Sequence, residues 1–280
     1  MLIIDAQVHP YERNHPGRPW AGELPGPPEV TGPVLTAAMD EAGVDAALLV
    51  SAWTLYRFDP SYAVSVRDAD PDRFAVIRPF DPADPAVAED MEAWNEVPGR
   101  VGARVMWPPP ARAADPGLNL VMTTAARLSL PVNLAFAGED LDVTAALARA
   151  HPDCRIVVDH LGQKQSLEPP APDQPFRDLQ AAVDLARLDN VSIKISGACT
   201  LSKTAYPFAD IWDPVMRIVD AFGVDRCMWG TDWTRALDFV TYKQSVDVFL
   251  ETPRLGDGDR EALMGGSLQR IYNWSPKLRP

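Results

Sequence analysis

Residues 2–9 read Leu2-Ile3-Ile4-Asp5-Ala6-Gln7-Val8-His9. This is an aliphatic run that ends on polar groups, as a buried strand does where its last side chains leave the core. The residues after it separate two parallel-sheet architectures. A doubly wound sheet wants a glycine-rich phosphate turn after its first strand. Here the chain passes from His9 directly into Pro10.

Seven further runs repeat the pattern: Ala46–Ala52, Phe74–Phe80, Val101–Met106, Pro131–Phe136, Ile156–Leu161, Val191–Ser196 and Cys227–Gly230. Most are rich in Val, Ile and Leu and do not alternate, which suits strands buried on both faces of a parallel sheet. Between them, 34–42, 83–94, 119–130, 141–150, 176–188, 211–222 and 238–250 carry apolar residues at three- and four-residue steps. Strand and helix alternating through 280 residues predict an α/β protein, a single-domain (β/α)₈ TIM barrel over residues 1–280. A loop from Pro16 to Pro33, dense in proline and glycine, follows the first strand and excludes helix or central strand there. It reads equally as a rigid surface excursion or as a lid, with Trp20 and Leu24 available for burial.

Hydrophobic residues make up 46% of the chain and charged residues 23%, enough apolar material for a large core and against disorder as the main state. The net charge of −13 opposes binding to phosphate backbones or anionic lipid, so neither nucleic acid nor membrane is expected as a partner. A small-molecule substrate is expected, and a homo-oligomer is allowed. Met1-Leu2-Ile3-Ile4-Asp5 lacks a basic region before an apolar stretch, so no secretory signal is expected and the expected location is cytoplasmic. The three cysteines, Cys154, Cys199 and Cys227, are far apart and read as buried thiols of a reducing compartment.

In a barrel, active sites collect at the C-terminal ends of the strands. Gln7 and His9 end the first strand, Arg78 the third, and Arg104 lies on the fourth just before Trp107. Asp159-His160 end the sixth, Lys194 lies on the seventh, and Thr231-Asp232-Trp233 follow the eighth. Alternation points Gln7 and His9 toward the mouth. Trp53, Tyr56, Trp107, Tyr206 and Trp233 are candidates to line a pocket for a flat or cyclic substrate.

These residues carry a family resemblance. Asp5-Ala6-Gln7-Val8-His9 resembles the Asp-x-His-x-His motif of the amidohydrolase superfamily, with Gln7 in the first histidine's place. Pro71-Asp72-Arg73-Phe74, Gly102-Ala103-Arg104, Asp159-His160-Leu161-Gly162, Lys194-Ile195-Ser196-Gly197 and Gly230-Thr231-Asp232-Trp233 resemble a branch of that superfamily. The branch contains 2-pyrone-4,6-dicarboxylate lactonase and sugar lactonases. Leu263–Leu268 resembles its closing Gly-Asn-Ala segment, with Ser267 in the asparagine's place. The likeness spans nearly the whole chain.

The resemblance implies a hydrolase that opens a lactone or related cyclic ester. The superfamily's metal sites use paired strand-one histidines, histidines on strands five and six, and a strand-eight aspartate. Here Gln7 replaces one histidine and strand five has none. No metal cofactor is therefore expected; were one divalent ion such as Zn or Mn bound, His9, His160 and Asp232 would hold it. Without a metal, Asp232 is expected to activate water, its pKa raised by partial burial. His9, His160 and Gln7 would polarise the carbonyl. Arg78, Arg104 and Lys194 would bind a carboxylate on the substrate. The alternatives are a metal-dependent decarboxylase or amide hydrolase, and a non-catalytic carboxylate-binding barrel. For Asp232 the competing structural role is capping the helix after it.

Overall fold

A computed structural model describes residues 1–106, 112–166, 168 and 170–277. Eight parallel strands follow one another around one sheet in sequence order: β1 (Ile4–Val8), β2 (Ala46–Val50), β3 (Phe74–Phe80), β4 (Arg100–Val105), β5 (Val132–Leu134), β6 (Ile156–Val158), β7 (Val191–Ser196) and β8 (Cys227–Gly230). Each expected apolar run forms one of these strands, and helices lie between them, giving the (β/α)₈ barrel.

Strand alternation sorts the core into two layers. Ile4, Ala6, Leu48, Ala75, Ile77, Val157 and Met228 pack inside the barrel, where Leu268 and Tyr272 of the helix Ser267–Tyr272 join them. Tyr272 Oη donates to Asn133 Oδ1 at 2.6 Å, so this helix plugs the N-terminal end of the barrel. It fits because Gly265 lies against the first strand's approach; a Cβ there would sit 2.7 Å from Leu2 O. Val8, Leu49, Val76, Ala103, Leu134, Val158 and Ile193 face outward onto the helices.

The sheet closes between β8 and β1 by a different device. Asp232 N–H donates to Gln7 O at 2.9 Å. The buried Asp5 carboxylate accepts from Gln7 N (2.9 Å) and Thr231 N (3.0 Å) on one oxygen, and from Thr231 Oγ1 and Tyr242 Oη (2.7 Å) on the other. One side chain thus spans the seam. Burial pushes the Asp5 carboxyl up to about 6, only partly offset by these hydrogen bonds.

Helix boundaries differ from the sequence reading at several ends. Pro116–Leu128 starts three residues before the expected 119, because Asp115 caps it by accepting from Leu118 N. The last long helix starts late, at Tyr242, where Thr241 and Gln244 form a capping box. Ser61–Ala69 is a helix absent from the sequence reading. The loop after β1 is tied at its base, where Tyr11 and Val30 exchange backbone hydrogen bonds. Trp20 Nε1 donates to Glu12 O at 3.0 Å, Arg18 pairs with Glu12, and Ala21 N donates to Leu55 O at 2.7 Å.

Candidate active site

The C-terminal ends of the strands open on a cavity of about 450 Å³. His9, Arg104, Asp159 and His160 form its floor, and Gln163, Lys164 and Gln165 enter from the segment after β6. Trp53 and Leu24 reach it from the segments after β2 and β1, and Arg235 from beyond β8. Leu24 is the contribution of the proline-rich loop.

His9 is held through its Nδ1, 2.7 Å from Val50 O. A carbonyl can only accept, so Nδ1 carries a proton and Nε2 is the nitrogen turned toward the site. Nε2 lies 3.2 Å from Asp232 Oδ1 and 3.2 Å from Gln7 Nε2. His160 Nδ1 lies 3.0 Å from Ser196 Oγ and 3.7 Å from Asp232 Oδ2, and its Nε2 lies 3.5 Å from Arg104 Nη2. Burial pushes the His160 imidazole down, and the Asp232 and Asp159 carboxylates pull it part of the way back. Gln7, His9, His160 and Asp232 therefore converge, as the strand-end pattern predicts.

Asp232 has φ 52° and His160 φ 52°, left-handed conformations that cost a non-glycine residue roughly 1–2 kcal/mol. Asp232 occupies the capping position of the helix Trp233–Ala236, yet its side chain makes no capping hydrogen bond. It turns toward His9 and His160 instead and is buried behind them, not itself among the residues lining the cavity. The expectation that burial would raise its pKa is overturned. Burial does push the carboxyl up, but His160 and the Arg235 guanidinium, 3.4 Å from Oδ2, outweigh it and hold it well below the usual carboxylate range. Asp232 is ionised throughout the neutral range. Its Oδ1 is buried and has no aligned hydrogen-bond partner among the described residues.

Beneath this layer lies a second one. Asp159 accepts from Arg104 Nε at 2.8 Å and pairs with Lys194 Nζ at 3.2 Å; both aspartate and lysine side chains are fully buried. Burial raises the Asp159 carboxyl, but Lys194 and Arg104 overcome it and bring it to about 2. Lys194 Nζ also donates to Gln7 Oε1 at 2.7 Å. That contact captures the Gln7 oxygen and turns its amide nitrogen toward His9.

Six of the expected site residues stand away from the cavity. Gln7 is fully buried behind His9 and does not line the cavity, so it is not placed as a carbonyl donor. Lys194 finds its anionic partner in Asp159, not in a substrate. Arg78 has outward parity on β3, because Ile77 faces in; it donates to Phe58 O (3.3 Å) and pairs with Asp90 (3.3 Å). Tyr56, Tyr206 and Trp233 also lie off the cavity. Tyr56 Oη bonds the Glu12 backbone, Trp233 packs edge-on against Tyr242, and Tyr206 is exposed beside Glu251. Arg104 and Trp53 do line it. Trp107 lies outside the described residues.

Gln163, Lys164, Gln165 and Arg235 were not singled out from the sequence. The polar run directly after Asp159-His160-Leu161-Gly162 and the three-residue step from Asp232 to Arg235 were the available signals. The cysteines are buried, and burial pushes each thiol up to about 12, so they are inert.

Two of the expected metal-site positions are taken up by protein contacts. Gln7 offers its oxygen to an ammonium, and Asn133 on β5 is taken by Ala103 O and Tyr272. His160 meets Ser196 on one nitrogen and Arg104 on the other. Among the described residues no group of three His, Cys, Asp or Glu is disposed to hold an ion. Arg104, Lys194 and Arg235 already supply positive charge there.

The family model described as Amidohydrolase matches residues 4–274. The chain is 32% identical over 148 residues to the L-fucono-1,5-lactonase of Burkholderia multivorans, covering 50% of this chain and 49% of that one. It is 32% identical over 102 residues to the 4-sulfomuconolactone hydrolase of Rhizobium radiobacter, covering 36% and 32%. The matched stretches thus span half or less of these relatives. A crystal structure of a Burkholderia multivorans amidohydrolase with bound zinc superposes with a TM-score of 0.79 at 22% identity, covering 98% of this chain and 100% of that one. That likeness concerns the fold.

Proposed function

The chain belongs to the amidohydrolase family, and from that premise we propose that it is a metal-independent hydrolase that opens a lactone, acting as one domain over residues 1–280. The names of the two partly matched relatives support lactone hydrolysis. The observation that carries the mechanism is the ionised Asp232 carboxylate, which lies directly behind His9 and His160 of the cavity floor and within reach of both imidazoles.

A water held by Asp232 Oδ1 attacks the lactone carbonyl carbon, and Asp232 takes its proton as the C–O bond forms. A carboxylate held this low is a weak base, so the proton has to move on quickly. His9 Nε2, 3.2 Å away, is placed to relay it. The developing oxyanion faces His160 and Arg104, with Arg104 oriented by Asp159. Collapse breaks the ring C–O bond, the ring oxygen receives the proton, and a hydroxy acid leaves. Gln7 and Lys194 act indirectly, by fixing His9 and Asp159.

Among the described residues no helix is long and apolar enough to cross a membrane. Three free, buried cysteines support our assignment to the cytoplasm. The test of the reading is hydrolysis of a lactone panel by protein treated with chelator and verified by elemental analysis. Turnover that survives metal removal supports it. Activity that is lost on chelation and restored by zinc or manganese overturns the metal-independent mechanism.

A further inference from the structure

The bend that carries Asp232 needs a support of its own. Asp232 sits at φ 52° and ψ 31°, a left-handed conformation that an aspartate keeps only where its surroundings fix it. The short helix Trp233–Ala236 behind it does not fix it, because the Asp232 side chain makes no capping bond there.

Thr231 supplies the support from one residue upstream. Its Oγ1 accepts from Trp233 N at 3.0 Å, which closes a side-chain-capped turn around Asp232. A backbone N–H can only donate, so the single hydroxyl proton of Thr231 goes the other way, to Asp5 Oδ2 at 2.5 Å. Thr231 N–H donates to Asp5 Oδ1 at 3.0 Å. The buried carboxylate on β1 therefore grips Thr231 at two points. The hydroxyl that it orients is the acceptor that folds the chain round Asp232.

Two further bonds tie this turn to the strand that carries His9. Asp232 N–H donates to Gln7 O at 2.9 Å, and His9 N–H donates to Thr234 Oγ1 at 3.1 Å. The backbones of His9 and Asp232 are thus joined through the same turn that sets the 3.2 Å separation of His9 Nε2 from Asp232 Oδ1.

From this geometry we propose that Thr231 is a positioning residue for the reaction: its hydroxyl, held by Asp5, fixes the bend that places the Asp232 carboxylate against His9. The proposal rests on the role given to Asp232 above. Thr231 is buried and does not line the cavity, so it acts through Asp232 and not on the substrate.

The experiment compares three variants on a lactone that the wild type opens. Thr231→Val removes the hydroxyl and keeps the branched shape, and Thr231→Ser keeps the hydroxyl. Tyr242→Phe withdraws the other hydroxyl bonded to Asp5 Oδ2, at 2.7 Å, while its ring can still pack on Trp233. It softens the same clasp without touching the Thr231 hydroxyl. Thr231→Val is expected to lower kcat by about tenfold or more with KM within about twofold, the scale of a misplaced catalytic group. Thr231→Ser and Tyr242→Phe are expected to stay within about threefold of wild type in kcat. Added to Asp232→Asn, Thr231→Val is expected to cost less than about twofold more, since no charged carboxylate is left to misplace. Thr231→Ala tests the same hydroxyl should valine prevent folding.

Wild-type kcat in Thr231→Val, equal losses in Thr231→Val and Tyr242→Phe, or a full multiplicative loss on Asp232→Asn overturns the proposal while lactone hydrolysis stands. A crystal structure of Thr231→Val makes the test independent of turnover. Asp232 leaving its left-handed conformation there, with its contact to His9 opened, supports the positioning role even if no lactone is opened and the hydrolase reading fails alone. An unmoved Asp232 overturns the proposal.

Discussion

Two buried carboxylates, one at the barrel seam and one beneath the cavity, behave in opposite ways. Asp5 and Asp159 are both almost wholly removed from water, and burial pushes each toward the protonated form. Asp5 is answered only by neutral donors, from Gln7, Thr231 and Tyr242, and stays at about 6. Asp159 is answered by Lys194 and Arg104 and falls to about 2. Neutral hydrogen bonds offset part of a desolvation penalty, whereas full charges in a poorly polarisable interior reverse it. The seam is therefore a structural clasp of low charge, and the floor of the cavity is a charged platform on which Asp232 is kept ionised.

The sharpest test of that division is Asp232→Asn, which keeps the shape of the side chain and removes its charge. A loss of ~10²–10⁴-fold in kcat is expected, with the fold intact by circular dichroism. A variant with wild-type kcat on the true substrate would place Asp232 with the structural groups and erase the contrast.

Next in size is Asp159→Asn. It leaves Arg104 and Lys194 buried without their counter-charge, which costs about 3–5 kcal/mol in urea unfolding. A change below about 1 kcal/mol would mean that the platform does not depend on this carboxylate.

The third test reads pH. Asp5 has a folded pKa above its unfolded value, so its stabilising contribution is complete below the unfolded pKa of ~3.9 and is lost as pH rises through about 6. Asp159 runs the other way: its contribution is present above ~3.9 and is lost as pH falls through about 2. The stability difference between wild type and Asp5→Asn should therefore drift against the wild type by about 2 kcal/mol from pH 4 to pH 6. A difference that stays flat over that interval would show that the seam carboxylate is not held as described.

The smallest effect is expected at Arg78, which belongs to neither region. Arg78→Met should change stability by about 1 kcal/mol or less and leave KM unaltered, as befits a partly exposed ion pair. A raised KM would restore Arg78 to the substrate.

The strands were legible because aliphatic runs such as Ala46–Val50 and Val191–Ser196 need no partner to be recognised. His9, His160 and Asp232 were legible because each stands where such a run ends. Direction was harder to read. Arg78 lies near a strand end too, but its parity sends it outward, and only the neighbours of Ile77 on the inside make that plain. Lys194 faces inward, yet its partner Asp159 directly follows the adjacent strand, a relation set by tertiary register. Gln163, Lys164 and Gln165 follow β6 in a segment without periodicity, so nothing local pointed them at the cavity. The short helix Ser61–Ala69 carries its buried face on Tyr62, Ala63 and Val66, too few apolar positions to stand out.

The seam also has a kinetic meaning. Asp5 and Thr231 are 226 positions apart, so their hydrogen bonds close one of the longest loops in the chain. Loop-closure entropy delays such contacts relative to those between neighbouring strands, which pair as they become available. During synthesis β1 emerges first, and its β8 partner emerges more than two hundred residues later. For that interval one edge of β1 has no strand beside it, in a segment of high β-propensity. An unpaired strand edge is where non-native pairing between chains begins. The clasp that completes the barrel is thus also the contact whose late arrival sets how long the nascent chain is open to aggregation.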